Sequence, residues 1–500
     1  MASLSPSGRD RRLGWSLVAL VAVLACAAAL RAHQIGRESV WIDEALSVRL
    51  ASLPLRALGA ATAEDGHPPL YLALLHGWMK LFGTSEAAIR SLSAALGVAG
   101  AAAMYLLGRA LYGDRTGLMG AALVAFSPYH IYYSQEARNY SLLALVTVVS
   151  HLAFVRLRTA GAPRAAVLYV LSALLVAYTH VFGLFVWAAH LLVLVLSSHR
   201  EPPRGRRVLW LAQLAVAVGL VPWAFSPWAA RLATQASPVT TALRLAKPDA
   251  GMVVGAFAGY SGSALGLLLT APWAAAEVIR ALRLRRGTAS ASLEAPRRLD
   301  DREAALLLTA AVVVPHAIPF LYSQIRVPVY IARATIVALP PYFLLAAAAI
   351  DRRPRLLRGV ALGAILVSAL GSQRAYLHLV SKEQWRDAAR DLDAEAASGD
   401  VVAFDPGYGQ EGFDYYSRRA DVRKARLGAE LGTPRARDEL AAARGGASRV
   451  WVVRLHRPRD EAAVARSVGP DDRLAGSGHY AGIDLYLYER RPPPRPSPSP

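Results

Sequence analysis

One cysteine, Cys26, stands among 500 residues. No intrachain disulfide can form, so any domain placed outside the cell must fold without one. Cys26 lies inside an apolar run and reads as a small packed residue. Acidic charge is scarce: 36 Asp and Glu stand against 56 Lys and Arg, for a net charge of +20. In a soluble protein that excess would point to nucleic acid. Here the cations lie mainly in short loops between apolar runs, which makes them a topology signal and argues against a nucleic-acid partner. The chain also has no Gly-rich phosphate loop and no internal repeat. The first absence leaves no sign of a nucleotide-binding domain. The second speaks against a transporter built from inverted repeats.

What the chain does have is apolar length. Hydrophobic residues make up 54% of it, above the roughly 45–50% of soluble domains. The excess is gathered in runs of about 20 residues, enough to cross a hydrocarbon core about 30 Å thick. Eleven spans are expected, near 13–32, 87–108, 116–133, 140–157, 165–180, 183–198, 208–228, 257–280, 304–322, 332–350 and 356–372. Arg9, Arg11 and Arg12 before the run Leu13 to Leu30 resemble a signal peptide. The run exceeds the usual apolar core of about 7–15 residues, so it reads as an uncleaved first helix. With the N-terminus in the cytoplasm, inner segments carry 23 cations and the outer loops 11. That bias sets the orientation in the plasma membrane, and an odd number of spans puts the C-terminus outside.

Between the first two spans lies a long outer loop, 33–86, with two expected interfacial helices, Ile42 to Leu53 and Leu70 to Phe82. From residue 373 the pattern changes. Glu383 to Ala397 reads as a helix, and Asp400 to Phe404, Arg449 to Leu455 and Ile483 to Tyr488 as strands. The expectation is an α-helical polytopic membrane protein, residues 1–372, with a small extracytoplasmic α/β domain, 373–490. Residues 287–300 read as a flexible inner loop and 491–500 as a disordered Pro/Ser-rich tail.

The residues with chemical promise fall on the outer side. Asp43 and Glu44 follow Trp41 at the start of a helix. One can take a proton as general base, or both can simply complement the helix dipole. Glu64-Asp65-Gly66-His67-Pro68-Pro69 is a turn stiffened by its prolines. His67 can meet a metal, a phosphate or an acceptor, or merely decorate the turn. Ser127 to Tyr140 carries Tyr133, Glu136 and Arg138 between two apolar runs. Arg138 can clamp a phosphate, with Glu136 orienting it; an aromatic belt with an ion pair is the plainer reading. His180 ends a span, and Arg326 and Arg333 flank Pro328 between two late spans. Either arginine can hold a phosphate leaving group or an anionic lipid. Tyr415 and Tyr416 read as paired aromatics in a strand, more suited to packing than to stacking on sugar.

VWIDEA (Val40 to Ala45), HPPLY (His67 to Tyr71), FSPYHIYYSQEARNYSLLAL (Phe126 to Leu145), YTHVFGLF (Tyr178 to Phe185) and PVYIAR (Pro328 to Arg333) occur in that order. Together they resemble the GT-C superfamily of membrane glycosyltransferases, in its family 39-like branch of protein O-mannosyltransferases and aminoarabinose transferases. The resemblance covers residues 13–350. It implies a polyprenyl-phosphate sugar donor, inverting transfer to a hydroxyl of a protein, lipid or glycan, and a site at the bilayer surface. It implies Asp43, with Glu44 beside it, as the catalytic acids. Arg138, Arg333 and Arg326 would then hold the donor phosphate, and His67, Tyr133, Glu136 and His180 the substrates. It leaves a divalent metal open, with His67, His180 and Asp65 as candidate ligands. Arg333 departs from the family pattern, since Ala334 rather than an aromatic follows it. The alternatives are a lipid-linked oligosaccharide ligase or polymerase, which would place its key residues in a late outer loop, and a transporter, which would carry charge near the membrane midplane.

Overall fold

The computed structural model describes residues 8–65, 67–160, 162–197, 203–226, 229–230, 247–284, 299–379 and 382–491. The expected loop 287–300 and tail 491–500 lie almost wholly outside these residues. The chain divides into two compact units: 1–35 with 53–376, and 36–52 with 377–500. The segment 36–52, expected to stay with the membrane part, belongs to the second unit.

The first unit is helical. Among the described residues eight helices are long and apolar enough to cross a membrane, and they answer to eight of the eleven expected spans. The other three expected spans are helices of 13 to 15 residues: Asp114–Phe126, Pro163–Ala177 and Gly183–Ser197. The run 116–133 is not continuous. Ser127 caps a new short helix, Pro128–Ser134, through His130 N–H at 3.3 Å, with the proline at its first position. The carbonyls freed by this break would be costly in hydrocarbon. The buried Arg31 guanidinium donates to Ala125 O at 3.0 Å and Val124 O at 3.4 Å. The expected span 257–280 is likewise divided, at Gly262 and Ser263, into Ala250–Ser261 and Ala264–Arg283. Gly262 has φ of +88°, and Ser263 caps the second helix through Gly266 N–H.

Helices Glu86–Tyr112 and Asp114–Phe126 reverse at Gly113 and pack closely. A Cβ on Gly108 would sit 2.6 Å from the Gly117 backbone, so only a small residue permits this approach. Charges at the opposite helix ends are paired, as membrane burial demands. Arg158 meets Glu303 at 3.1 Å, and Glu277 accepts from Arg280 at 2.6 Å.

The second unit is an α/β domain. Its strands are β1 Val401–Asp405, β2 Arg423–Arg426, β3 Arg449–Leu455, β4 Asp472–Tyr480 and β5 Ile483–Arg490, in the order β2-β1-β3-β5-β4. β2, β1 and β3 are parallel, and β5 runs antiparallel to both β3 and β4. Alternate residues feed two cores, Val402 and Phe404 into one, Val401 and Ala403 into the other. β1, β3 and β5 follow the expected strands closely. β2 and β4 were not foreseen: RKAR and DRLAGSGHY lack apolar alternation because they are sheet edges. Tyr415 and Tyr416 lie in a helix, Gln410–Tyr416, and not in a strand.

Candidate functional site

Four of the five motif segments meet in the helical unit. Pro68 and Pro69 open the helix Leu70–Phe82 and set His67 just before it. The His67 ring lies 5.6 Å from that of His180, centroid to centroid. At the second residue of that helix, the Tyr71 and Ser93 hydroxyls are 2.9 Å apart, and Ser93 donates to Arg138 O at 3.2 Å. Asn139 Nδ2 donates to Thr179 O at 3.1 Å, tying the Glu136-Ala137-Arg138 turn to the His180 turn. Gln135 Nε2 fixes the other end of that turn by donating to Arg31 O at 3.1 Å. Tyr129 donates to Ala332 O at 2.9 Å, which brings in the last segment. Arg333 then stands 5.9 Å above the Tyr140 ring, within cation–π range. Tyr140 in turn packs on Tyr133, centroids 4.8 Å apart.

Glu136, Arg138 and His180 are all buried. His180 sits in the turn between two helices, outside the spans. Burial pushes its pKa well below the usual histidine value, and His67, Arg138 and Arg333 push it further. Its Nδ1 accepts the Phe182 N–H at 3.1 Å, so the neutral ring presents Nε2–H as a donor. A buried neutral donor with two guanidinium groups in its field suits an anion. Arg326, by contrast, is exposed at the end of the helix Asp301–Ile325.

The same charges suit a divalent cation poorly. Among the described residues no group of three or more His, Cys, Asp or Glu could hold a metal. His67 and His180 do come together, but His180 Nδ1 is already engaged, and the side chain of Asp65 lies outside the described residues.

The acidic pair belongs to the second unit, at the start of helix Ile42–Ala51. The two acids stand differently. Glu44 is fully buried, accepts the Trp41 N–H at 3.5 Å and pairs with Lys382 Nζ at 3.4 Å; it closes half of a capping box. Asp43 is half-buried, and its charge acts on Tyr408 and His456. His456 Nε2 lies 3.1 Å from Glu383 Oε1. That contact, and then the Asp43 charge, raise the histidine pKa against the opposing effect of burial. Lys382, Glu383, Tyr408 and His456 were not foreseen. No local pattern marks them, because what ties them to Asp43 and its helix start lies more than 300 residues away in the sequence.

Residues 66–228 match the family model described as dolichyl-phosphate-mannose-protein mannosyltransferase. No curated protein matches the sequence. Among solved structures, apo ArnT from Cupriavidus metallidurans superposes with a TM-score of 0.62 at 14% identity, over 95% of this chain and 98% of that one. The same protein bound to undecaprenyl phosphate gives the same values. The Archaeoglobus fulgidus oligosaccharyltransferase complexed with Zn and sulfate gives 0.53 at 13% identity, over 87% and 68%. The mycobacterial arabinofuranosyltransferase AftD gives 0.52 at 15% identity, over 98% and 42%. Over residues 66–228 the chain is thus similar to that family, and its fold is that of these solved structures.

Proposed function

We propose that this protein is an inverting glycosyltransferase that moves a sugar from a polyprenyl-phosphate donor to an acceptor hydroxyl at the outer face of the cell membrane. The observation that carries the reading is that Arg333 lies over the Tyr140 ring, itself 6.3 Å from the ring of the buried His180, where the charges of Arg333 and Arg138 both act. A phosphate monoester anion is the leaving group such a cluster can stabilise.

Transfer is a single displacement. The acceptor oxygen attacks C1 of the sugar, and its proton passes to the Asp43 carboxylate. The bond from C1 to the phosphate oxygen breaks with inversion, and polyprenyl phosphate leaves with its charge toward Arg138 and Arg333. Nε2–H of His180 is the neutral donor for the same anion. Glu44 supports the turn, and the sugar and acceptor contacts fall to His67, Tyr133 and Glu136. For the isoprenoid tail, an apolar groove of about 520 Å³ runs along Leu70, Ala73, Leu171, Leu174 and Leu175. Its wall residues Pro69 and Tyr178 are each two positions from His67 and His180. ArnT from Cupriavidus metallidurans, which shares the fold, has been solved with undecaprenyl phosphate.

The test is transfer by purified protein in lipid nanodiscs, using a panel of polyprenyl-phosphate sugars, with Asp43→Asn as the control. One donor should be consumed by the native protein and spared by the variant. Full transfer by Asp43→Asn, or labelling of residues near Asp43 from the cytoplasmic side, would remove this mechanism.

A further inference from the structure

Helix Ile42–Ala51 begins without a side-chain cap hydrogen bond from its N-cap residue. Trp41 occupies the cap position, in extended conformation, where Ser, Thr, Asp or Asn would ordinarily hold the first free N–H groups. The cap comes instead from the far end of the chain. Glu383 Oε2 accepts the Ile42 N–H at 3.1 Å, one residue before Asp43. Lys382 meets Glu44, one residue after it. The extended segment ahead is fastened in the same way. Val40 N–H donates to the Tyr416 hydroxyl at 2.7 Å, Arg386 N–H to Ser39 Oγ at 3.3 Å, and the Arg386 guanidinium to Gly36 O at 3.2 Å. Glu383 is itself immobilised: it is buried, receives the Trp385 indole N–H and lies 3.1 Å from His456.

We propose that Glu383 is a positioning residue for the transfer reaction, setting the placement of the Asp43 carboxylate by capping the helix that carries it, with Lys382 and Tyr416 as its supports. The C-terminal domain is thereby part of the catalytic apparatus and not only a recognition or stability module. This rests on Asp43 as the base. A catalytic group held within a fraction of an ångström needs such a fixed supporting shell, and displacement by about 1 Å can cost about 100-fold in rate. The donor phosphate contacts lie in the other unit, so the effect belongs to kcat and not to donor KM.

The experiment compares native protein with Glu383→Ala, Glu383→Gln and Tyr416→Phe, full length in nanodiscs, with rates expressed per folded molecule. Glu383→Ala should lower kcat about tenfold to a hundredfold with donor KM within twofold. Glu383→Gln keeps an acceptor oxygen for Ile42 N–H and should recover most of that loss. A purely structural Glu383 would leave specific activity per folded molecule unchanged in every variant, and that result overturns the proposal. Should Glu383→Ala fail to fold, Tyr416→Phe decides. It keeps the ring and loses the bond to Val40, so a kcat lowered a few-fold at constant KM supports the proposal, and an unchanged kcat overturns it. Asp43→Asn run alongside separates the two readings. An active Asp43→Asn dismisses the base itself, whereas an inactive one beside a fully active Glu383→Ala dismisses only the positioning role.

Discussion

His180 and His456 are the same side chain in opposite surroundings. His180, in the helical unit, is almost wholly buried, and the charges acting on it are His67, Arg138 and Arg333. All of these disfavour a proton. His456, in the second unit, is half exposed at the end of β3, in a left-handed conformation with φ of +52°. Its neighbours in charge are Glu383 and Asp43, and both favour a proton. The contrast describes two environments, one prepared to receive negative charge and one carrying it. The reaction proposed above would use both: an anion acceptor for the leaving group and a carboxylate for the proton. Environments that push titratable groups apart are a guide to which group does which.

The largest effect that can break this comparison is at Asp43. Asp43→Asn should lower kcat about 100- to 10,000-fold, the range of a lost general base, with the thermal midpoint unchanged. Glu44→Gln should behave in the reverse way. It weakens the Lys382 pair in a buried place, so it should cost stability while retaining most of the activity per folded molecule. If Glu44→Gln is as inactive as Asp43→Asn and equally stable, the acids have been given the wrong roles.

Next in size are the cations. Arg138→Ala and Arg333→Ala each remove charge-assisted contacts worth about 1.5–3 kcal/mol, so transfer efficiency (kcat/KM) should fall about tenfold to a hundredfold. Because both act at one cluster, the double variant should lose less than the product of the two. Arg326→Ala, exposed at its helix end, should fall less than threefold short of native activity, as expected of a surface change. A loss at Arg326 equal to that at Arg333 would move the phosphate site.

The helical half of this picture was readable from local pattern. His67, Arg138, His180 and Arg333 each sit in a polar interruption between apolar runs, and such interruptions must be explained by function or by pairing. Breaks inside runs were harder. Nothing in the hydropathy of 116–133 separates Asp114–Phe126 from Pro128–Ser134, although Ser127-Pro128 is a cap followed by a first-turn proline. The seat of Asp43 was not readable at all. A helix start at Trp41 looks uncapped in sequence, and its cap, Glu383, is 341 residues on from Ile42. Edge strands β2 and β4 were hidden for a related reason: their stability comes from neighbours and not from their own alternation.

The smallest expected effect concerns pH, and it separates the two histidines by sign. His180 has a folded pKa depressed below 6.5. The unfolded chain therefore takes up the proton first, and stability is complete above about pH 6.5 and lost as pH falls toward the folded value. His456 has a folded pKa raised above 6.5. Its pairing with Glu383 is complete below about pH 6.5 and lost as pH rises through the folded value. Thermal midpoints of the purified protein across pH 5 to 9 should thus change on opposite sides for the two variants. His180→Asn, which keeps an acceptor for the Phe182 N–H, should lessen the decline on the acid side and leave the alkaline side alone. His456→Gln should flatten the alkaline side and leave the acid side alone. Half exposure weakens the His456 effect by solvent screening, so its change should be the smaller of the two. Two variants that flatten the same side would show that the two histidines do not sit in opposite charge environments, and the roles proposed for Arg138 and Asp43 would lose their physical basis.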